Sequence, residues 1–148
     1  MKKINVANIG DFAADQYSKV LKFAVFSLDQ RIKVQSPVDE GGFRQNWQVG
    51  QNLKTAPIIS PPYEKSKGKI PKLKKLNYQE EKSGNVYTLI NPLPYAEAVC
   101  YGTNTPPSWG GSFKSKQGLC AGWPNVEVAR VVKDIKKFKP KELWLRLI

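Results

Sequence analysis

Ser36-Pro37-Val38-Asp39-Glu40-Gly41-Gly42-Phe43-Arg44-Gln45-Asn46-Trp47 is the stretch on which the fold turns. Pro37 and the Asp39-Glu40-Gly41-Gly42 run stop the preceding helix and open a turn. The alternation that follows places Phe43, Gln45, Trp47 and Val49 on one face of a strand over about residues 43–51. A second stretch, Asn91-Pro92-Leu93-Pro94-Tyr95-Ala96-Glu97-Ala98-Val99-Cys100-Tyr101-Gly102, ends a later strand. There the chain turns directly into a short helix, 94–101, closed by Gly102. Neither stretch holds a nucleophile with its base, a metal-ligand cluster or a phosphate loop, so both read as scaffold.

Upstream, residues 11–34 form one amphipathic helix. Tyr17, Val20, Leu21, Ala24, Val25, Leu28 and Ile32 recur at helical spacing and are expected to face the core. At roughly 100° per residue, Phe12, Phe23 and Phe26 fall on the opposite side, among Lys19, Lys22, Gln30 and Lys33. A second aromatic stripe calls for a second covering partner, either a neighbouring subunit or the stems and loops of lysine-rich chain.

Between the two quoted stretches the sheet spans 43–91. A mate for the first strand is expected near 54–59, and further strands at 76–81 and 85–91, the last pair joined by the Ser83-Gly84-Asn85 turn. The sheet is therefore expected to be antiparallel and four-stranded. Residues 60–75 interrupt it with Pro61, Pro62, Gly68 and Pro71 and carry Lys65, Lys67, Lys69, Lys72, Lys74 and Lys75. Prolines so spaced exclude a regular helix or central strand, so this segment should be an excursion from the body.

After the short helix, residues 103–124 read as a long Pro/Gly-rich loop carrying Trp109, Phe113 and Trp123. These aromatics and Tyr101 are read as core or subunit contacts rather than as a platform for nucleic-acid bases. A helix follows at 126–138 with Val128, Val131, Val132 and Ile135 as its buried stripe, and Pro140 ends it. The terminal segment 141–148 is too apolar for a free tail, and Leu143, Trp144 and Leu145 are expected to dock. The 148 residues make one α+β domain: a small antiparallel sheet packed against a long N-terminal and a C-terminal helix.

Composition narrows function. The chain has no histidine, which removes the commonest general base, the usual activator of serine or cysteine nucleophiles and the commonest zinc ligand. Its 12 acidic residues are scattered, so no catalytic residue, cofactor or metal site is assigned and enzyme activity is not expected. Two cysteines, Cys100 and Cys120, fit a reducing compartment. The basic N-terminus lacks the apolar run of a signal peptide, and no stretch is long enough to span a membrane. A net charge of +12 creates a field that attracts nucleic acid or acidic protein surfaces.

The order of these signals, a long helix, the Pro37-x-Asp39-x-Gly41-x-Phe43-Arg44-x-x-Trp47 turn, a strand, the Asn91-x-Leu93-Pro94-Tyr95-Ala96 helix start and the late Gly122-Trp123, resembles the neck or tail-completion proteins of tailed bacteriophages, including minor tail protein Z-like sequences. The resemblance covers roughly residues 12–138. Glu40-Gly41-Gly42 stands where a shorter Thr-Gly is usual, and Cys100 where the family often has Glu. What the resemblance implies is a non-enzymatic virion protein, made in the host cytoplasm. It would form a ring at the phage neck, sixfold with twelvefold as the alternative, that completes the tail and joins it to the head while DNA passes.

Neighbouring neck, tail-terminator or connector proteins would be its partners. Subunit contacts would then fall to Phe12, Phe23, Phe26, Leu143, Trp144 and Leu145, and contacts with DNA or an acidic neighbour to the lysines of 65–75. A reading from another class is a cytosolic protein that binds nucleic acid non-specifically through the same lysines.

Overall fold

The computed structural model describes residues 9–38, 40–103 and 120–137, with side chains from residue 13 onward. Of the loop expected over 103–124, residues 104–119 with Trp109 and Phe113 lie outside the described residues, as do Asp39, the side chain of Phe12 and the terminal Leu143, Trp144 and Leu145, while Trp123 and Pro124 are not loop but the first residues of a helix.

The order is α1 (Ile9–Gln35), α2 (Gly42–Gln45), β1 (Gln48–Gln51), β2 (Lys75–Leu76), β3 (Tyr87–Ile90), α3 (Ala96–Tyr101) and α4 (Trp123–Lys137). Two helices, α1 and α4, pack beside a small sheet, so the chain is α+β as its patterning indicates. No helix among the described residues is long and apolar enough to cross a membrane.

The sheet differs from expectation. It has three strands in the order β2-β1-β3 and is mixed, with β1 parallel to β2 and antiparallel to β3. Residues 54–59 do not join the ladder. They lie beside the start of β1 and are tied to it by side chains: Ile59 N–H donates to Asn46 Oδ1 at 2.7 Å, and Gln48 Nε2 donates to the Pro57 carbonyl at 2.8 Å. Proline at 57 has no N–H to offer a ladder, so buried amides replace the missing rungs.

The first quoted stretch is also a helical turn before it is a strand. Gly41, at φ +89°, caps α2 in the left-handed region, and the backbone N–H groups of Gln45 and Asn46 bond back to Gly41 and Gly42. Phe43 and Trp47, which share a face at the spacing of either element, meet edge-on with ring centroids 5.6 Å apart. The strand then starts only at Gln48.

Phe43 and Trp47 sit in the core with Ile32, Cys100 and Trp123, and Leu28, Leu89, Leu93, Ala96 and Val99 pack against them. Both indole N–H groups of this core are bonded. Trp47 Nε1 donates to Ser36 Oγ at 2.9 Å, Ser36 Oγ donates to the Ile32 carbonyl at 2.7 Å, and Trp123 Nε1 donates to the Val99 carbonyl at 3.1 Å. The two quoted stretches are joined directly, since Asn91 Nδ2 donates to the Phe43 carbonyl at 2.8 Å.

Each helical stripe reaches the core only in part. On α1, Ile32 is buried but Tyr17 is 70% exposed. On α4, Trp123, Pro124, Glu127 and Val131 are buried, whereas Val128 and Val132 are exposed. Ion pairs accompany this packing: Arg31 of α1 reaches Asp134 at 2.7 Å and Glu127 at 3.8 Å, and Trp123 anchors the first turn of α4. Glu127, Val131 and Asp134 therefore face α1, and Val128 turns toward the edge of the core.

Candidate functional site

The lysine-rich segment is a strap fixed to the body rather than an excursion away from it. It is held from beneath by two buried cations, one from each side of the turn at residues 36–41. Arg44, only 1% exposed, donates from its guanidinium to the carbonyls of Ser66 at 2.7 Å, Lys67 at 3.2 Å and Glu64 at 3.3 Å. Lys33, also 1% exposed, donates to the carbonyls of Lys72 at 3.1 Å and Pro71 at 3.2 Å. Beyond that point Val49 N–H takes the Lys74 carbonyl at 2.9 Å and the strap becomes β2.

The planar fork of arginine suits three carbonyls converging on one side chain, which a lysine ammonium would serve less well. Lys33 has a countercharge, Asp29 at 2.9 Å one helical turn earlier, and this pair is fully enclosed. Burial pushes the Asp29 carboxyl up and the Lys33 ammonium down, and their mutual attraction opposes both shifts. Arg44 adds a smaller like-charge repulsion on Lys33.

Gly41 and Gly42 give the strap its seat. A Cβ on Gly41 would strike the Glu64 carbonyl, and one on Gly42 would meet the Tyr63 ring at 3.0 Å. Tyr63 in turn donates its hydroxyl to the Ile59 carbonyl at 2.6 Å. The residues of the quoted turn thus serve two purposes, ending α1 and receiving the backbone of residues 63–64.

With its carbonyls turned inward, the strap holds Lys65, Lys67, Lys69, Lys72 and Lys74 in solvent. The first three surround a turn closed by Lys69 N–H on the Ser66 carbonyl at 3.2 Å, and the last two flank Leu73 in extended chain. Lys75 stands apart from this set. It is half-buried, bonds Glu81 at 3.1 Å and lies 5.4 Å from the centre of the Tyr78 ring.

Leu73 points to a cleft of about 480 Å³ between the strap and α1, whose α1 wall carries Lys19, Lys22, Phe23 and Phe26. Phe23 and Phe26 of the second aromatic stripe and the lysine segment are therefore neighbours, one of the two coverings expected for that stripe, although Phe26 stays 55% exposed.

The other scaffold residues build the frame. Phe43, Arg44, Trp47 and Trp123 are buried, and Ala96 packs on the core. Gly102 caps α3 at φ +72°. Gly122 N–H bonds the Cys100 carbonyl at 2.7 Å, Tyr95 stacks obliquely on Phe43 at 6.3 Å, and Pro37 and Pro94 occupy the turns before α2 and α3. Cys100 and Cys120 are both free thiols, and burial pushes Cys100 up to about 12. Among the described residues no group of three His, Cys, Asp or Glu side chains is placed to hold a metal ion.

Asp29, Lys33, Asn46 and Gln48 carry as much of this construction as any motif residue, yet sequence reading passes over them. Their one signal is polarity at positions flanked by core residues. Comparison of the chain with protein-family models, with curated proteins and with solved structures gives no match.

Proposed function

We propose that this chain is a structural, non-enzymatic protein of the tailed-phage neck, forming a ring with copies of itself that completes the tail and joins it to the head. The ring is sixfold, with twelvefold as the alternative, and the terminal Leu143, Trp144 and Leu145 contribute its copy-to-copy contacts. The described residues of the motifs behind the resemblance build the frame, which leaves the outer surface for joining. The observation that carries the reading is the strap: five exposed lysines on backbone that Arg44 and Lys33 hold in place.

A solvated charge run needs no buried cations beneath it, whereas a surface meant to meet a polyanion gains from being held in advance. Such a surface suits a passage that DNA traverses without being gripped, or an acidic neighbouring ring. The test is deletion of the gene followed by electron microscopy of lysates. Unattached full heads beside full-length tails are expected, and intact infectious virions would overturn the reading.

The same strap favours one second reading, non-specific nucleic-acid binding by a monomer. Five lysines each neutralising a phosphate give a log–log salt slope of about −4 to −5 on duplex DNA. A monomer that binds duplex tightly at physiological salt with that slope, and is absent from purified particles, would select it.

A further inference from the structure

The cleft between α1 and the strap has an unusual make-up, with an apolar floor inside a cationic rim. Its floor is Phe23, Phe26 and Leu73, and Phe26 is 55% exposed. Lys19 and Lys22 stand on the α1 rim, Lys19 with Asp15 at 3.5 Å, and Lys75 stands on the strap side, whereas Lys72 and Lys74 alternate to the outer face of the extended strap. The one carboxylate in its wall, Glu81, is enclosed and already occupied by Lys75 at 3.1 Å and the Tyr78 hydroxyl at 3.2 Å.

Both ends are built. Lys33 ties the strap to α1 at one end through Pro71 and Lys72, and Ser18 Oγ accepts Ser83 N–H at 3.0 Å at the other. Lys22, Phe26, Asp29 and Lys33 follow one another at helical spacing along a single row of α1. The strap closes on the second half of that row and stands off the first.

We propose that this cleft is a docking site for an acidic polypeptide segment that places one aromatic or aliphatic side chain on Phe26. Charge and shape select that occupant. A duplex presents a charged backbone with no apolar side chain to fill the floor, so DNA would satisfy the rim and leave Phe26 wet. A second copy paired through this face would set Lys19 and Lys22 against themselves, and each copy carries +12. An acidic partner with an apolar anchor satisfies both parts at once. The proposal deepens the joining role above and rests on it only in taking the partner to be a protein.

The experiment uses the full chain and a fluorescein-labelled peptide of alternating Asp and Glu with a central Phe, read by anisotropy at physiological salt. Seating the ring favours this peptide over its central-Ala counterpart by at least about tenfold. Phe26→Ala should abolish that preference, and Lys22→Gln should weaken both peptides about equally. Circular dichroism verifies that each variant is folded.

Equal binding of the Phe and Ala peptides, or no binding of either, overturns the proposal. So does an oligothymidylate that binds more tightly than an abasic strand of the same length and loses that preference in Phe26→Ala, because the occupant is then a nucleobase. Self-association abolished by Phe26→Ala overturns it in favour of a second copy. Failure here with the chain present in virions removes only the cleft assignment, while peptide binding by a chain missing from virions removes only the neck reading.

Discussion

Replacing Arg44 with methionine separates what holds the strap from what holds the fold. The side chain keeps much of its volume but loses every donor, and the carbonyls of Glu64, Ser66 and Lys67 lose their shared partner. A hydrogen bond to a charged group contributes about 1.5–3 kcal/mol, but these part-buried carbonyls regain water when the strap opens. A net of about 1 kcal/mol per bond gives about 3 kcal/mol for the local closing of the strap. That corresponds to roughly a hundredfold rise in its open population.

Global stability should move much less, because methionine also removes the cost of burying an isolated cation. Brief trypsin digestion reads the local term directly, since Lys65, Lys67 and Lys69 are themselves cleavage sites. When reclosing is faster than cutting, the cutting rate follows the open population. Mass spectrometry should find cuts after these lysines roughly a hundredfold faster in Arg44→Met, in a protein whose circular dichroism is unchanged. Cleavage within about threefold of the wild-type rate would refute the claim that Arg44 holds the strap.

Gly41→Ala combines a left-handed backbone position with a collision against the Glu64 carbonyl, and should cost about 2–4 kcal/mol in a denaturant melt. Removing one member of the enclosed ion pair, as in Asp29→Ala, should cost about 3–5 kcal/mol, whereas Asp29→Leu with Lys33→Met should regain much of that loss in the same assay. For thiols, pH gives a signed expectation. The folded value of Cys100 is raised from 9.0 to about 12, so its contribution to stability is complete below pH 9 and is lost as pH rises toward 12. At pH 8, iodoacetamide should accordingly label exposed Cys120 rapidly in the native protein and Cys100 only after unfolding.

The α+β class and the positions of both long helices were legible because amphipathic periodicity over many residues has a single reading. The turn at 36–47 was half legible. Phe43 and Trp47 stand four apart, which places them together in a strand and in a helix alike, and the decision fell to the left-handed Gly41 and the backbone bonds it permits. On α4 spacing pointed to Val128, Val131, Val132 and Ile135, but of the valines only Val131 is buried, and Glu127 is buried beside it. Glu127 and Asp134 meet Arg31 there, a hundred-odd positions away in the chain, a contact that local spacing does not show.

Residues 54–59 have strand composition, but Pro57 denies them a ladder and the amides of Asn46 and Gln48 take its place. The strap was hidden for a related reason. Buried arginine and lysine are rare enough that composition assigns both to solvent, and only contacts made over long separations show Arg44 and Lys33 turned inward.

The placing of those two cations has a mechanical consequence. Force applied to the outer lysines passes through the carbonyls of 64–72 into Arg44 and Lys33, which stand on α2 and on the last turns of α1. The route bypasses the loop ends at Pro61 and Leu73 and enters the molecule beside the buried Ile32, Phe43 and Trp47. A tug on the basic surface is therefore a tug on the longest helix, so a load taken up by the strap reaches whatever α1 touches along its length.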